Sequence, residues 1–100
     1  MNEQLRDLVD IDRTIHEPAR LAILAILWAA ESVDFLYLLN TIELSRGNLS
    51  SHLSKLEAAG YILIQKTFEG KIPRTVCRLT DTGKAAFEGY KEQMRAFLAG

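Results

Sequence analysis

Apolar residues recur with helical spacing through the first half of this chain, switch to a strand-like run after Gly60, and return to helical spacing after Thr80. Leu5, Leu8 and Val9 predict a short helix over residues 2–9, and residues 10–16 read as a junction. Glu17-Pro18 opens a longer helix, with Pro18 near the first helical position, where a missing N–H leaves no hydrogen bond unmade. Leu21, Ile23, Leu24, Ile26, Leu27 and Trp28 cover most of its circumference, which predicts a helix nearly surrounded by protein. Asp34 is a candidate N-cap for the next helix, Phe35 to Ile42, which carries Phe35, Leu36, Leu38 and Leu39.

A short connection, Glu43-Leu44-Ser45, leads into the most distinctive stretch, a helix predicted over residues 45–59 and opened by Ser45 as cap. At about 100° per residue, Leu49, Leu53 and Leu56 gather on one face, while Asn48, Ser51, Ser54 and Lys55 project the other way. Ser50, Ser51 and Ser54 have poor helix propensity, so their use on an exposed face points to a demand other than helix stability. An ordinary solvated face usually carries Glu/Lys pairs, whereas small hydrogen-bonding side chains suit a DNA groove. Gly60 can stop the helix, and Tyr61 to Phe68 reads as a strand. Glu69-Gly70-Lys71 makes a turn, and Arg74 to Leu79 returns as the second strand, with Pro73 tolerable only at its start or on an edge. Thr80 can cap a last helix that runs through Phe87 towards the C-terminus.

The run "LSRGNLSSHLSKLEAAGYI" through "PRTVCRLTDTGKAAFEGY" resembles the winged helix-turn-helix transcription regulators of the MarR/ArsR type, particularly the short single-domain kind, over roughly residues 10–95. Its specific pieces are the serine-rich helix ending in Leu56-Glu57-Ala58-Ala59-Gly60, the wing "EGKIPRT", and the "LTDTG" before the last helix. The closely spaced cysteine pair of ArsR metal sensors is missing, so metal sensing does not come with the resemblance. The expected fold is mainly α with a small β-hairpin: a winged helix-turn-helix with extra terminal helices for dimerisation. The expected organisation is a single domain over residues 1–100, with a recognition helix at about 45–59, a wing at about 61–79 and a C-terminal dimerisation helix at about 80–98.

With 100 residues, 48% hydrophobic and 25% charged, the chain has room for one modest core and no second domain. The longest apolar run, Leu21 to Ala30, falls short of the roughly 18 residues that cross a bilayer, and the N-terminus lacks a basic and apolar leader, so a cytoplasmic protein is expected. One cysteine cannot form an internal disulfide, in keeping with a reducing compartment. The overall charge of −1 argues at first against nucleic acid. Its distribution reverses that: residues 1–44 carry net −5, residues 45–78 net +4 and residues 79–100 net zero. Positive charge thus coincides with the serine-rich helix and the hairpin, where phosphates would be met.

Phe87, Tyr90, Met94 and Phe97 form a stripe on the last helix longer than a small core needs. Phe87 is assigned to the chain's own core. Tyr90, Met94 and Phe97, joined by Leu5 and Leu8, are assigned to a partner helix, as the resemblance also implies. No residue set supports catalysis: Cys77 sits among apolar strand residues, and His16, His52 and Cys77 are too few to make a zinc site. No cofactor is expected. His52 is open to either groove contact or packing on the helix flank. The reading is a homodimeric regulator binding double-stranded DNA at a palindromic operator. Ser45, Arg46, Asn48, Ser51 and His52 would lie in or beside the major groove, and Lys55, Lys71 and Arg74 on phosphates or, at the wing tip, in the minor groove. A small-molecule effector is open, and so is a winged helix used only to dock another protein.

Overall fold

Each longer helix begins on a side chain that occupies its first free amides. In a computed structural model that describes residues 3–99, α1 spans Glu3–Val9; Asn2, its expected first residue, lies outside the described residues. α2 spans Pro18–Ala29, and the Glu17 carboxylate accepts from the Ala19 and Arg20 amides at 2.9 Å each. A two-residue strand, β1 (Val33–Asp34), runs directly into α3 (Phe35–Ile42), where Asp34 accepts from the Leu36 amide at 2.6 Å. α4 spans Arg46–Ala58, with the Ser45 hydroxyl accepting from the Asn48 amide at 3.1 Å. β2 (Ile62–Glu69) and β3 (Ile72–Leu79) form the hairpin, and α5 (Asp81–Ala99) closes the chain.

Two positive-φ residues set the turns around α4. Glu43 (φ 61°) ends α3 and donates to the Leu39 carbonyl at 3.0 Å. Gly60 (φ 80°) ends α4 with the paired bonds Gly60 N to Glu57 O at 2.9 Å and Tyr61 N to Leu56 O at 3.0 Å, a closure that favours glycine at this position. The chain then reverses into an antiparallel sheet of order β1-β3-β2, with Ile64 opposite Cys77, Lys66 opposite Thr75 and Phe68 opposite Pro73. β1 adds Val33 opposite Cys77 on the other edge of β3.

The core joins Ile23, Leu24 and Leu27 of α2 to Leu38, Leu49, Leu53 and Leu56 of the two following helices, with Ile62, Cys77 and Leu79 from the sheet and Phe87 and Tyr90 from α5. Ile11 and Ile15, from the junction before α2, complete it. α2 is not surrounded as its composition suggested. Trp28 stays 43% exposed, edge-on to Phe87 at 5.8 Å, with the Lys91 ammonium 3.7 Å above its ring.

α5 is held against the end of α4 through its first turn. The Thr80 amide donates to the Tyr61 carbonyl at 3.0 Å, while the Thr80 hydroxyl donates to the Gly60 carbonyl at 2.6 Å and accepts from the Gly83 amide at 2.9 Å. A Cβ at Gly83 would fall 2.0 Å from the Tyr61 carbonyl oxygen, so the backbones approach as closely as only glycine permits. The glycine of the "LTDTG" run is therefore a packing requirement. We expect Gly83→Ala to destabilise the fold by about 1–3 kcal/mol or more, as in overpacked cores. Chemical denaturation reads this directly, and an unchanged midpoint would contradict the close approach.

Candidate nucleic-acid interface

Three leucines fasten α4 to the core: Leu49 and Leu56 are fully buried and Leu53 nearly so. The opposite face exposes Asn48, Ser51, Ser54 and Lys55, while the Ser45 hydroxyl serves as the N-cap. Arg46 extends from the first turn with its guanidinium 5.9 Å from the Phe35 ring centroid. A row of donors and acceptors held on a rigid helix can follow base edges in a major groove.

Sequence reasoning missed the clamp on the flank of α4. Arg20 of α2 is only 9% exposed, and a buried guanidinium needs partners for its donors. Its Nε donates to the Thr14 carbonyl at 2.5 Å, its Nη1 donates to His52 Nδ1 at 3.0 Å, and Glu17 lies 3.8 Å from the same Nη1. Glu17 Oε2 is also 3.3 Å from His52 Nδ1, so that nitrogen meets the guanidinium when bare and the carboxylate when it carries a proton. His52 thus packs on the flank of α4 with 21% of its side chain exposed. Partial burial alone would raise the Glu17 carboxyl pKa, but the Ala19 and Arg20 amides, His52 and the Arg20 charge together hold it below its ordinary 4.5.

The wing places Lys71 in solvent beside Gly70. Arg74 is engaged on both sides, 3.6 Å from Asp34 and 3.2 Å from Glu69, so it ties the hairpin to the start of α3. Phe68 and Ile72, which sequence reasoning passed over, are 71% and 56% exposed. The sequence pattern gives Phe68 only strand propensity and leaves Ile72 outside the second strand, which in fact begins there, so the strands outrun the core.

The residues assigned to a partner helix divide. Tyr90 is 6% exposed within its own chain, stacked on Phe87 at 6.5 Å and hydrogen bonded to His16 Nδ1 at 2.9 Å. Its assignment to a partner is thereby corrected, because the junction before α2 folds back and supplies the cover that the helix periodicity left unspecified. Leu8 and Met94 are half-buried against the same core. Leu5, Phe97 and Leu98 remain exposed on α1 and α5, which pack along each other.

Cys77 is fully buried; burial first, then the carboxylates of Glu57 and Asp34, push its thiol up to about 11, far from a nucleophilic thiolate. Tyr61 is pushed up to about 12, chiefly by its hydrogen bond to the Asp12 carboxylate and then by burial. Among the described residues no group of three or more His, Cys, Asp and Glu side chains could hold a metal ion. An open cleft beside the start of α5 is lined in part by Trp28, Glu31, Arg78, Asp81 and Lys84.

The sequence model of the winged helix DNA-binding domain family matches residues 19–98. An uncharacterized protein of Methanocaldococcus jannaschii is 38% identical over 72 residues, covering 71% of this chain and 77% of its own length. Among solved structures, the transcriptional regulator homologue protein of Pyrococcus horikoshii OT3 superposes with a TM-score of 0.90 at 27% identity, covering 99% of this chain and 97% of that one. A MarR family transcriptional regulator of Silicibacter pomeroyi shares the fold, with a TM-score of 0.65 at 24% identity over 94% of this chain and 61% of that one.

The lowered Glu17 pKa has a defined consequence for acid stability. A carboxyl whose folded pKa lies below its unfolded value stabilises the fold above the unfolded value, and that contribution is lost as the pH falls through the folded one. We expect Glu17→Ala to cost about 1 kcal/mol at pH 7, as for removal of an N-cap, and the gap from the parent to close as the pH falls below 4.5. Denaturant titrations at pH 7 and pH 3 measure both; a gap that persists undiminished at pH 3 would contradict the assignment.

Proposed function

This chain belongs to the winged helix DNA-binding domain family, and from that premise we propose that it is a sequence-specific transcription regulator that binds double-stranded DNA as a homodimer on a palindromic operator. The observation that carries the proposal is the division of α4: a buried leucine stripe on one side and, on the other, an exposed row of Asn48, Ser51, Ser54 and Lys55, with Arg46 exposed in the first turn. On this reading Arg46 contacts guanine, Asn48 adenine, and Ser51 a base edge or phosphate. Ser45 lies at the helix entrance, where its amide rather than its capping hydroxyl faces a phosphate. Lys55 and Lys71 hold phosphates on either side of the groove. His52 supports this face from the flank, and Arg74, held by Asp34 and Glu69 through Nη1 and Nε, offers its remaining donors to a phosphate.

The dimer half of the proposal rests on Leu5, Phe97 and Leu98, apolar side chains exposed on the paired terminal helices, with Leu8 and Met94 beneath them. A two-fold dimer presents two copies of α4 to successive major grooves about 34 Å apart, which makes the preferred site an inverted repeat. No helix among the described residues is long and apolar enough to cross a membrane. On this reading the protein works beside DNA in the cytoplasm.

Replacing Asn48 and Ser51 together by alanine separates reading from folding. Thermal stability is expected to stay within about 1 kcal/mol of the parent, as for surface changes. Discrimination between the preferred DNA and a scrambled duplex is expected to fall by about 1–3 kcal/mol for each base-edge hydrogen-bonding partner removed. Gel retardation with competitor DNA and a melting curve make the two measurements. Unaltered discrimination, or loss of the folded state, would overturn the assignment of this face. Absence of any shift by the parent protein at micromolar concentration and low salt would overturn DNA binding itself.

A further inference from the structure

The wing carries an apolar tip that neither the core nor the proposed phosphate contacts use. In the hairpin register, Ile62, Ile64, Lys66 and Phe68 share one face with Leu79, Cys77, Thr75 and Pro73. The inner part of that face is core: Ile62, Cys77 and Leu79 are buried. Its outer part runs past the edge of the domain and ends in Phe68, 71% exposed, beside Pro73. A phenylalanine left so far in water forgoes the benefit of burial, and one held on a protruding hairpin between lysines is poorly placed to join a protein core.

Two observations select the occupant. The first is continuity: Phe35, Arg46, Ser50, Leu53 and Ser54 line one groove with Ile64 and Thr75, so the Phe68 face of the wing turns towards the edge of α4 on which Arg46 and Ser54 are exposed. From Ile64 to Phe68 is four residues, about 13 Å along a strand. Half a turn of B-DNA is about 17 Å, so duplex lying along α4 in its major groove brings the neighbouring minor groove within reach of Phe68. The second is charge. Lys66 and Lys71 flank the tip, and Arg74 occupies Glu69, its one acidic residue, at 3.2 Å. An apolar side chain set among cations matches a groove with phosphate walls and a stacked apolar floor.

We propose that Phe68 is a minor-groove wedge: it presses between two base pairs beside the major-groove site, partly unstacks them and bends the duplex towards the major groove. The inference rests on the DNA-binding reading above. It adds a specificity term that involves no base hydrogen bond, because pyrimidine–purine steps such as TA and CA/TG unstack more readily than others. A deformable step is therefore expected at a fixed distance outside each α4 contact.

The test uses the intact protein, a bound duplex selected from a random pool, fluorophores at its ends and 2-aminopurine at the step under the wing. The parent protein is expected to bend the duplex by about 20–90° and to raise the 2-aminopurine emission as the step unstacks. Phe68→Ser is expected to keep the major-groove methylation footprint, to lose most of the bend and the emission rise, and to bind TA-step and GC-step duplexes alike. Phe68→Leu, which keeps an apolar wedge, is expected to retain the bend in part. A parent-like bend and step preference in Phe68→Ser would overturn the proposal, as would a change in oligomeric state by sedimentation, which would make the tip a protein contact. A parent protein with no footprint on any duplex would overturn the DNA-binding reading itself, an outcome distinct from a footprint without a bend.

Discussion

The position of α4 depends on how one buried cation is satisfied. Arg20 is 9% exposed, and a guanidinium taken from water without partners costs several kcal/mol. Its partners therefore fix three segments at once: Thr14 in the junction, Glu17 at the start of α2, and His52 midway along α4. The leucine stripe supplies attraction between α4 and the core but little orientation, since apolar contact is non-directional. Hydrogen bonds to Arg20 supply the orientation, and the side chains proposed to face DNA take their direction from it.

A second fastening places the wing. The closure of α4 at Gly60 leads into Tyr61, whose carbonyl receives the Thr80 amide and leaves no space for a side chain at Gly83. The end of α4, the root of β2 and the start of α5 are thereby one rigid joint. Arg74 anchors the other side of the hairpin to Asp34, which also caps α3. The wing thus extends from two fixed roots, and its tip, with Lys71 and Phe68, projects at a set distance from α4.

Helices α2 to α5 and the hairpin were legible because each carries its own start and stop chemistry: Glu17-Pro18, Asp34, Ser45, Gly60, Gly70 and Thr80 act within a few residues of where they stand. The outward face of α4 was legible for the same reason, since a helical period needs no distant information. What escaped depends on partners remote in sequence. β1 exists only because β3 lies beside it, and two residues have no periodicity to read. Ile11 and Ile15 are core residues within an irregular junction, and it is their segment that brings His16 to Tyr90 and Asp12 to Tyr61. The hydrogen bond between Arg20 and His52 spans 32 positions, and the reading of Arg74 as a phosphate or minor-groove contact had no sight of the two carboxylates that the fold brings to it.

The central claim is that the exposed face of α4, presented twice by a two-fold dimer, reads a defined DNA sequence. Selection from a random duplex pool, followed by methylation interference on the enriched sites, tests it most directly. The account predicts an inverted repeat whose half-sites are centred about 10 base pairs apart, or a multiple of one helical turn, with interference at major-groove guanine N7 atoms in each half. Enrichment of no sequence, or of single unrepeated sites with interference confined to the minor groove, would contradict it.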